Sequence, residues 1–131
     1  MEEEIRQAIS EGFFVFISGM ARGSDIWAAE VVLHLKNEGQ LVRLICASPY
    51  EGFESGRSTE WQERYQDILG AADLVKFISD EYNHKCFQKR NEWMVRHSAK
   101  VLAVYNGMGR GTKNTVEFAR REGIEVLIIS G

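Results

Sequence analysis

Five short apolar runs punctuate the chain: FFVFI (13–17), LVRLICA (41–47), DLVKFIS (73–79), VLAVY (101–105) and EVLIIS (125–130). Each is four to eight residues long and rich in β-branched or aromatic side chains, the pattern of strands buried on both faces of a parallel sheet. The longer segments between them repeat their apolar positions at helical spacing. In TEWQERYQDILGAAD, Trp61, Tyr65, Ile68, Leu69 and Ala72 share one face; in FQKRNEWMVRHSA, Phe87, Asn91, Met94, Val95 and Ser98 do the same. A leading helix is predicted over residues 2–11. Ser24 is expected to cap a helix from Asp25, Thr112 one from Lys113, and Thr59 with Gln62 has the spacing of a capping box. Gly39 and Gly123 stand where helices should end.

Regular alternation of strand and helix predicts an α/β domain, a Rossmann-like three-layer sandwich on a mainly parallel sheet of five strands. Right-handed crossovers leave two economical arrangements, a doubly wound order 2-1-3-4-5 and a singly wound variant, and the doubly wound order is the expectation. The opening helix is unusual, because doubly wound folds begin on a strand.

Composition narrows the function. With 131 residues, 44% of them hydrophobic, the chain is expected to form one domain over residues 1–131 around one core. No stretch is long and apolar enough for a membrane span, and the acidic start MEEEIRQAIS does not resemble a secretory leader, so a cytoplasmic protein is expected. A net charge of -3 argues against general affinity for nucleic acid and leaves room for a local basic pocket that takes a small anion. Cys46 and Cys86 are the only cysteines and suggest neither a disulfide framework nor a zinc knuckle. His34, His84 and His97 share no ligand spacing, so no metal or cofactor is expected, and His84 is the histidine nearest to a strand-end loop.

Candidate chemistry concentrates in two loops that each follow a strand. In SGMARGSD (18–25) and in YNGMGRGTKNT (105–115) glycines let the backbone turn, and a hydroxyl residue stands at the start of a helix. A helix N-terminus carries free N–H groups and about half a positive charge, which suits a phosphate or carboxylate. Arg22 in the first loop, and Arg110 and Lys113 in the second, can add charge-assisted bonds. Either loop alone reads equally well as a tight turn; the two together favour an anion site. The Walker spacing and the G-x-G-x-x-G fingerprint are both absent. Trp27 is read first as a core residue and second as a stacking surface for a base. The stretch SPYEGFESGRSTEW (48–61) is either a flap over the pocket or an ordinary loop.

Three stretches, FISGMARGSDIWAAEVVL, CFQKRNEWMVRHSAKVLAVYNG and GRGTKNTVEFARREGIEV, resemble the DUF1273 (YpsA-like) branch of the SLOG superfamily, which also includes LOG cytokinin-activating enzymes and DprA-like Rossmann proteins. The resemblance covers residues 2–129. It implies a Rossmann-like domain for nucleotides or nucleotide-derived molecules, NAD or ADP-ribose derivatives among them, and a place beside sensors in bacterial conflict systems. Carried over by motif, the pocket comprises Ser18, Gly19, Met20, Ala21, Arg22, Gly23 and Asp25, joined by the helix start at Ser24 and by Trp27. Lys89, Arg90 and Asn91 follow from the middle stretch, and Asn106, Gly107, Gly111, Thr112 and Thr115 from the last. Two departures stand out. Where LOG-type hydrolases carry a catalytic glutamate this chain has Asn114, which cannot serve as a base, and a first strand with a Thr-Gly-His-Arg-like loop is missing. The reading is therefore a binding protein that senses or sequesters a nucleotide-derived anion, a phage-encoded sponge among the fitting roles, with a homo-oligomer expected. The alternative is a LOG-like phosphoribohydrolase or an N-glycosidic hydrolase of an NAD-like substrate.

Overall fold

The computed structural model describes residues 1–105 and 110–130. Ten elements alternate along the chain: α1 (Glu2–Ser10), β1 (Val15–Ser18), α2 (Ser24–Asn37), β2 (Arg43–Tyr50), α3 (Thr59–Ala71), β3 (Leu74–Ser79), α4 (Cys86–Arg96), β4 (Lys100–Tyr105), α5 (Arg110–Arg121) and β5 (Glu125–Ser130). The α/β class and the parallel pairing agree with the sequence pattern; the strand order does not. β1, β2 and β3 form one sheet in that order, and β4 with β5 forms a second. The expected order 2-1-3-4-5 puts β1 between β2 and β3, whereas β2 is the middle strand, pairing Phe16 with Leu44 on one side and Cys46 with Val75 on the other.

Burial explains the exchange. Leu44, Cys46, Ala47 and Ser48 of β2 are all fully covered, as a strand sandwiched on both faces must be, while Val15 of β1 and Leu74 of β3 stay 43% and 53% exposed. β2 also runs past its predicted end at Ala47. Ser-Pro reads as a breaker, yet Pro49 falls between Ser48 and Tyr50, which pair with Phe77 and Ser79 near the end of the strand, where a missing N–H is tolerated. Among the described residues β1 and β4 each have a single paired neighbour, so each keeps an unpaired edge.

One hydrophobic cluster joins α1, α2, α3, β2 and the segment after β2: Ile5, Leu35, Leu44, Phe53 and Tyr65 belong to it, and Leu102 of β4 packs against it. Inside it the Tyr65 hydroxyl and Ser48 Oγ lie 2.6 Å apart, which satisfies two buried hydroxyls at once. Gly39 and Gly123 follow α2 and α5 as expected, and the amides just beyond them, Gln40 and Ile124, reach back to the Leu35 and Ala119 carbonyls.

The caps differ from their predicted places. Ser58, not Thr59, caps α3, accepting the Trp61 amide at 3.3 Å. The capping-box pair fails because Thr59 is already the first helical residue, and the Gln62 side chain donates to the Arg57 carbonyl instead. Ser58→Ala should therefore cost about 1 kcal/mol in a urea titration, and Thr59→Ala should stay within about 0.5 kcal/mol of the parent. Equal losses would mean that Thr59 shares the cap.

Candidate glycine-loop site

The first glycine loop is held from below by its own neighbours. Ser18, 5% exposed, donates its hydroxyl to the Asp25 carbonyl at 2.9 Å and accepts the Met20 amide at 3.2 Å. The Ala21 amide donates to Asp25 Oδ2 at 3.2 Å, so the carboxylate closes the loop onto the first turn of α2. From α4, Arg90 Nη1 donates to the Gly19 carbonyl at 3.0 Å, and its Nε donates to Asn91 Oδ1 at 3.1 Å. Gly19 has no alternative here: a Cβ would lie 2.8 Å from Asp25 Oδ2, 3.0 Å from Met94 Sδ and 3.3 Å from Arg90 Nε.

Two backbone features fix the turn. Met20 is fully buried with φ of 61°, the left-handed region that a side chain of its size rarely enters, at a cost of about 1–2 kcal/mol. Gly23 (φ 99°) is the N-cap of α2, and no side chain caps that helix. Ser24 is thus the first helical residue and cannot act as the expected cap. α4 likewise starts, after Lys85, without a side-chain cap. Uncapped N–H groups at both helix starts are groups that an anion can satisfy.

Charge beneath the loop is desolvated. Burial pushes the Asp25 carboxyl above the usual carboxylate range, with the attraction of Arg90 and the Ala21 N–H pulling it back. Burial likewise lowers Arg90, 7% exposed, against the attraction of Asp25, yet a guanidinium remains charged at neutral pH. Cys86 and Cys46 are free and buried, and burial pushes the Cys46 thiol up to about 12, so it behaves as a packing residue.

The residues expected to form the pocket divide into groups. Ser18, Gly19, Met20, Ala21, Asp25, Arg90 and Asn91 come together at one place. Arg22, Gly23, Ser24 and Trp27 lie on the outer side of the same turn, Arg22 exposed and Trp27 56% exposed. Trp27 is not a core residue as first read, because Ile26 and Ala29 supply the buried face of α2 and turn residue 27 outward. Lys89, one position from Arg90 and so about 100° around the helix, lines a separate shallow groove of about 450 Å³ with Lys76, Glu92, Trp93, Arg96 and His97. His97 stacks on Trp93 in that groove at 4.2 Å. Thr112 does not cap α5, which begins at Arg110; it lies in the first turn, half-buried like Thr115. Gly111 belongs to the same turn. Asn106 and Gly107 lie outside the described residues.

The sequence pattern did not single out an aromatic cluster next to this loop. Phe87 lies under Arg90, whose Cζ is 5.6 Å from the ring centre, and Phe87 also meets Phe53 (5.7 Å), Tyr82 (6.3 Å) and Tyr50 (6.4 Å). Arg57 lies over Phe53 and Trp61 on the far side. The stretch 48–61 is therefore not a free flap: its centre, Phe53 and Glu54, is buried. The only signal for this was a pair of aromatic residues at the end of each of two strands, Tyr50 and Phe53 for β2 and Tyr82 and Phe87 after β3, with no common spacing.

Comparison with known proteins agrees with the sequence resemblance. A family model described as the YspA SLOG family matches residues 1–131. An uncharacterized SPbeta prophage-derived protein, YoqJ of Bacillus subtilis, is 29% identical over 85% of this chain and 72% of its own length. A UPF0398 protein of Halalkalibacterium halodurans is 35% identical over 80% of this chain and 57% of its own. One from Shouchella clausii is 32% identical over 86% and 61%. The chain thus spans less than two thirds of these two UPF0398 relatives.

Proposed function

The chain belongs to the YspA SLOG family, and on that premise we propose that it binds and holds a small nucleotide-derived anion, of the NAD, ADP-ribose or cyclic-nucleotide type, at the loop after β1. The observation that carries this reading is the conformation of that loop. A buried methionine in the left-handed region, a glycine with no room for a Cβ, a desolvated Asp25 carboxyl bonded to the Ala21 amide and a buried Arg90 bonded to the Gly19 carbonyl keep a turn in one shape beside an uncapped helix start. Strain of this kind persists where the surroundings over-determine it, and it collects at ligand sites. Arg22 stands exposed at the rim with no ion pair among the described residues, available to a phosphate.

Holding is favoured over cleavage. Hydrolysis of an N-glycosidic bond needs a carboxylate with access to the substrate. Asn114 occupies the position where LOG-type enzymes carry theirs, and the Asp25 carboxylate is engaged by the Ala21 amide beneath the loop. Sequestration or sensing follows from holding without cleavage, and the prophage origin of the YoqJ relative supports a sponge-like role. A homo-oligomer belongs to the same proposal, with the edge of β3 or β5, each of which has a single paired neighbour among the described residues, as its contact surface.

The test is to incubate the purified protein with ADP-ribose and cyclic nucleotides and to analyse bound and free pools by mass spectrometry. Intact ligand released on denaturation is expected, and Arg22→Ala should weaken retention by about 1–3 kcal/mol with the fold unchanged. Altered ligand would replace this reading with the hydrolase, and retention of nothing would end both.

A further inference from the structure

β3 is an outer strand of the three-stranded sheet: β2 pairs with one of its edges, and among the described residues the other edge has no neighbour. Side chains alternate along a strand, so Val75 turns to the main hydrophobic cluster while Lys76 and Ile78 turn to the side of α4. There they meet Lys89, Glu92, Trp93 and Arg96, spaced at i, i+3, i+4 and i+7 along one face of that helix. The two rows enclose the groove of about 450 Å³ described above. It therefore runs beside an open row of backbone N–H and C=O groups, and an edge of that kind is a template for another strand.

Charge in the groove is one-sided. Lys76 and Lys89 are exposed and make no ion pair among the described residues. Glu92, the one carboxylate of the lining, accepts from Gln88 Nε2 at 2.8 Å and lies 4.0 Å from Arg96 Nη1, so the two ammonium groups stay uncompensated. Arg96 is engaged as well, by Glu122 at 3.3 Å and by the Phe118 ring beneath it. Trp93 is half-buried and carries His97 stacked on it at 4.2 Å, with His97 Nδ1 2.7 Å from the Trp93 carbonyl oxygen, which gives the groove a flat surface held in place.

These features select among occupants. A second copy joined through the same edge would bring its own Lys76 and Lys89 to a groove that already holds two unpaired cations, and like charges disfavour that pairing. That leaves β5 as the edge open to a copy of this chain. Nucleic acid would match the cations but makes no use of a strand edge, and the net charge of -3 works against it. An extended peptide answers both features: its backbone completes the ladder while alternate side chains enter the groove, carboxylates toward the lysines and an apolar group toward Ile78 and Trp93.

We propose that the free edge of β3, with the α4 groove beside it, docks an extended acidic segment of a partner protein, which joins the sheet as a further strand. The proposal is independent of the anion site, because Lys89 and Arg90 face different ways around α4.

The test is titration of the intact chain with a capped peptide of alternating glutamate and valine, about nine residues long, read by calorimetry and by amide hydrogen exchange. The glutamate peptide should bind with a Kd below about 1 mM, at least ten-fold more tightly than the same peptide with lysine for glutamate. Exchange of the β3 amides (Leu74–Ser79) should slow when it is bound. Lys76→Glu combined with Lys89→Glu should reverse the preference and take the lysine peptide instead. Both positions are exposed, and circular dichroism checks that the double variant is folded. If two peptides methylated on alternate backbone nitrogens, one in each phase, both bind as tightly as the parent peptide, charge alone suffices and the proposal is overturned. Tighter binding of an oligothymidylate of equal charge makes the groove a nucleic-acid surface and overturns it as well. So does a glutamate peptide that fails to bind at about 1 mM, or a double variant with the parent preference.

Discussion

Arg90→Ala should lower the unfolding free energy by about 3 kcal/mol and abolish ligand retention at the glycine loop. The side chain is 7% exposed and performs three tasks: it donates to the Gly19 carbonyl, it donates to Asn91, and it faces the desolvated Asp25 carboxyl. Truncation leaves the buried Gly19 carbonyl without its donor and removes the positive charge that offsets the desolvation of the nearby Asp25 carboxyl, although the two make no direct ion pair. The loss should depend on pH. Burial already holds the Asp25 pKa above its ordinary value while Arg90 opposes the shift, so without Arg90 the pKa climbs further. The folded variant then binds a proton more readily than its unfolded chain, and the deficit relative to the parent should shrink as pH falls toward the carboxylate range and reach its full size above it. Chemical unfolding at pH 4.5 and pH 7.5 reads this directly. A deficit of the same size at both pH values would mean that only the hydrogen bond to Gly19 matters. Arg90→Lys keeps the charge but not the forked donors and should fall between the two.

Gly19→Ala is expected to cost about 2 kcal/mol and to weaken ligand retention at least ten-fold, although it adds a single methyl group. The methyl carbon would stand 2.8 Å from Asp25 Oδ2 and 3.0 Å from Met94 Sδ. Met94 is a flexible thioether and can yield, but Asp25 is tied to the Ala21 amide and cannot move without opening the turn. The effect should therefore show in both thermal unfolding and binding. Gly12→Ala is the control: its φ of 98° makes any side chain strained, yet nothing lies within 4 Å, so stability falls while binding at the distant loop is retained. Unchanged retention in Gly19→Ala would show that the loop shape has no part in the site.

Much of the architecture was legible because apolar runs and helical faces are local patterns. All five strands and all five helices occur where those patterns place them, with ends shifted by a few residues. Strand order was not legible, since it depends on which strand is covered on both faces, and Leu41–Ala47 looks no more central by composition than Phe13–Ile17. Caps were misread for a smaller reason. Ser24 and Thr59 are good capping residues, but Gly23 with its positive φ and Ser58 with its extended backbone turn the chain one residue earlier. In the candidate site, the residues SGMARGSD announced the turn and Arg90 its support. Lys89 could not be separated from Arg90 by sequence, because a single step around α4 sends one to the loop and the other to the opposite groove. The aromatic cluster was illegible because it joins residues 50–53, 82 and 87 through side chains alone.

The division of the strands into two sheets also determines how the two halves communicate. Within each sheet the strands are joined by backbone hydrogen bonds, which salt does not weaken. Between the halves, Leu102 contributes apolar contact, but Lys100 with Glu11 and Arg96 with Glu122 are ion pairs in which at least one partner is exposed to solvent. Surface pairs of this kind are screened as ionic strength rises. Raising the ionic strength should therefore remove at most about 1 kcal/mol per pair from this seam, while the apolar contact at Leu102 and the stacking of Arg96 on Phe118 persist.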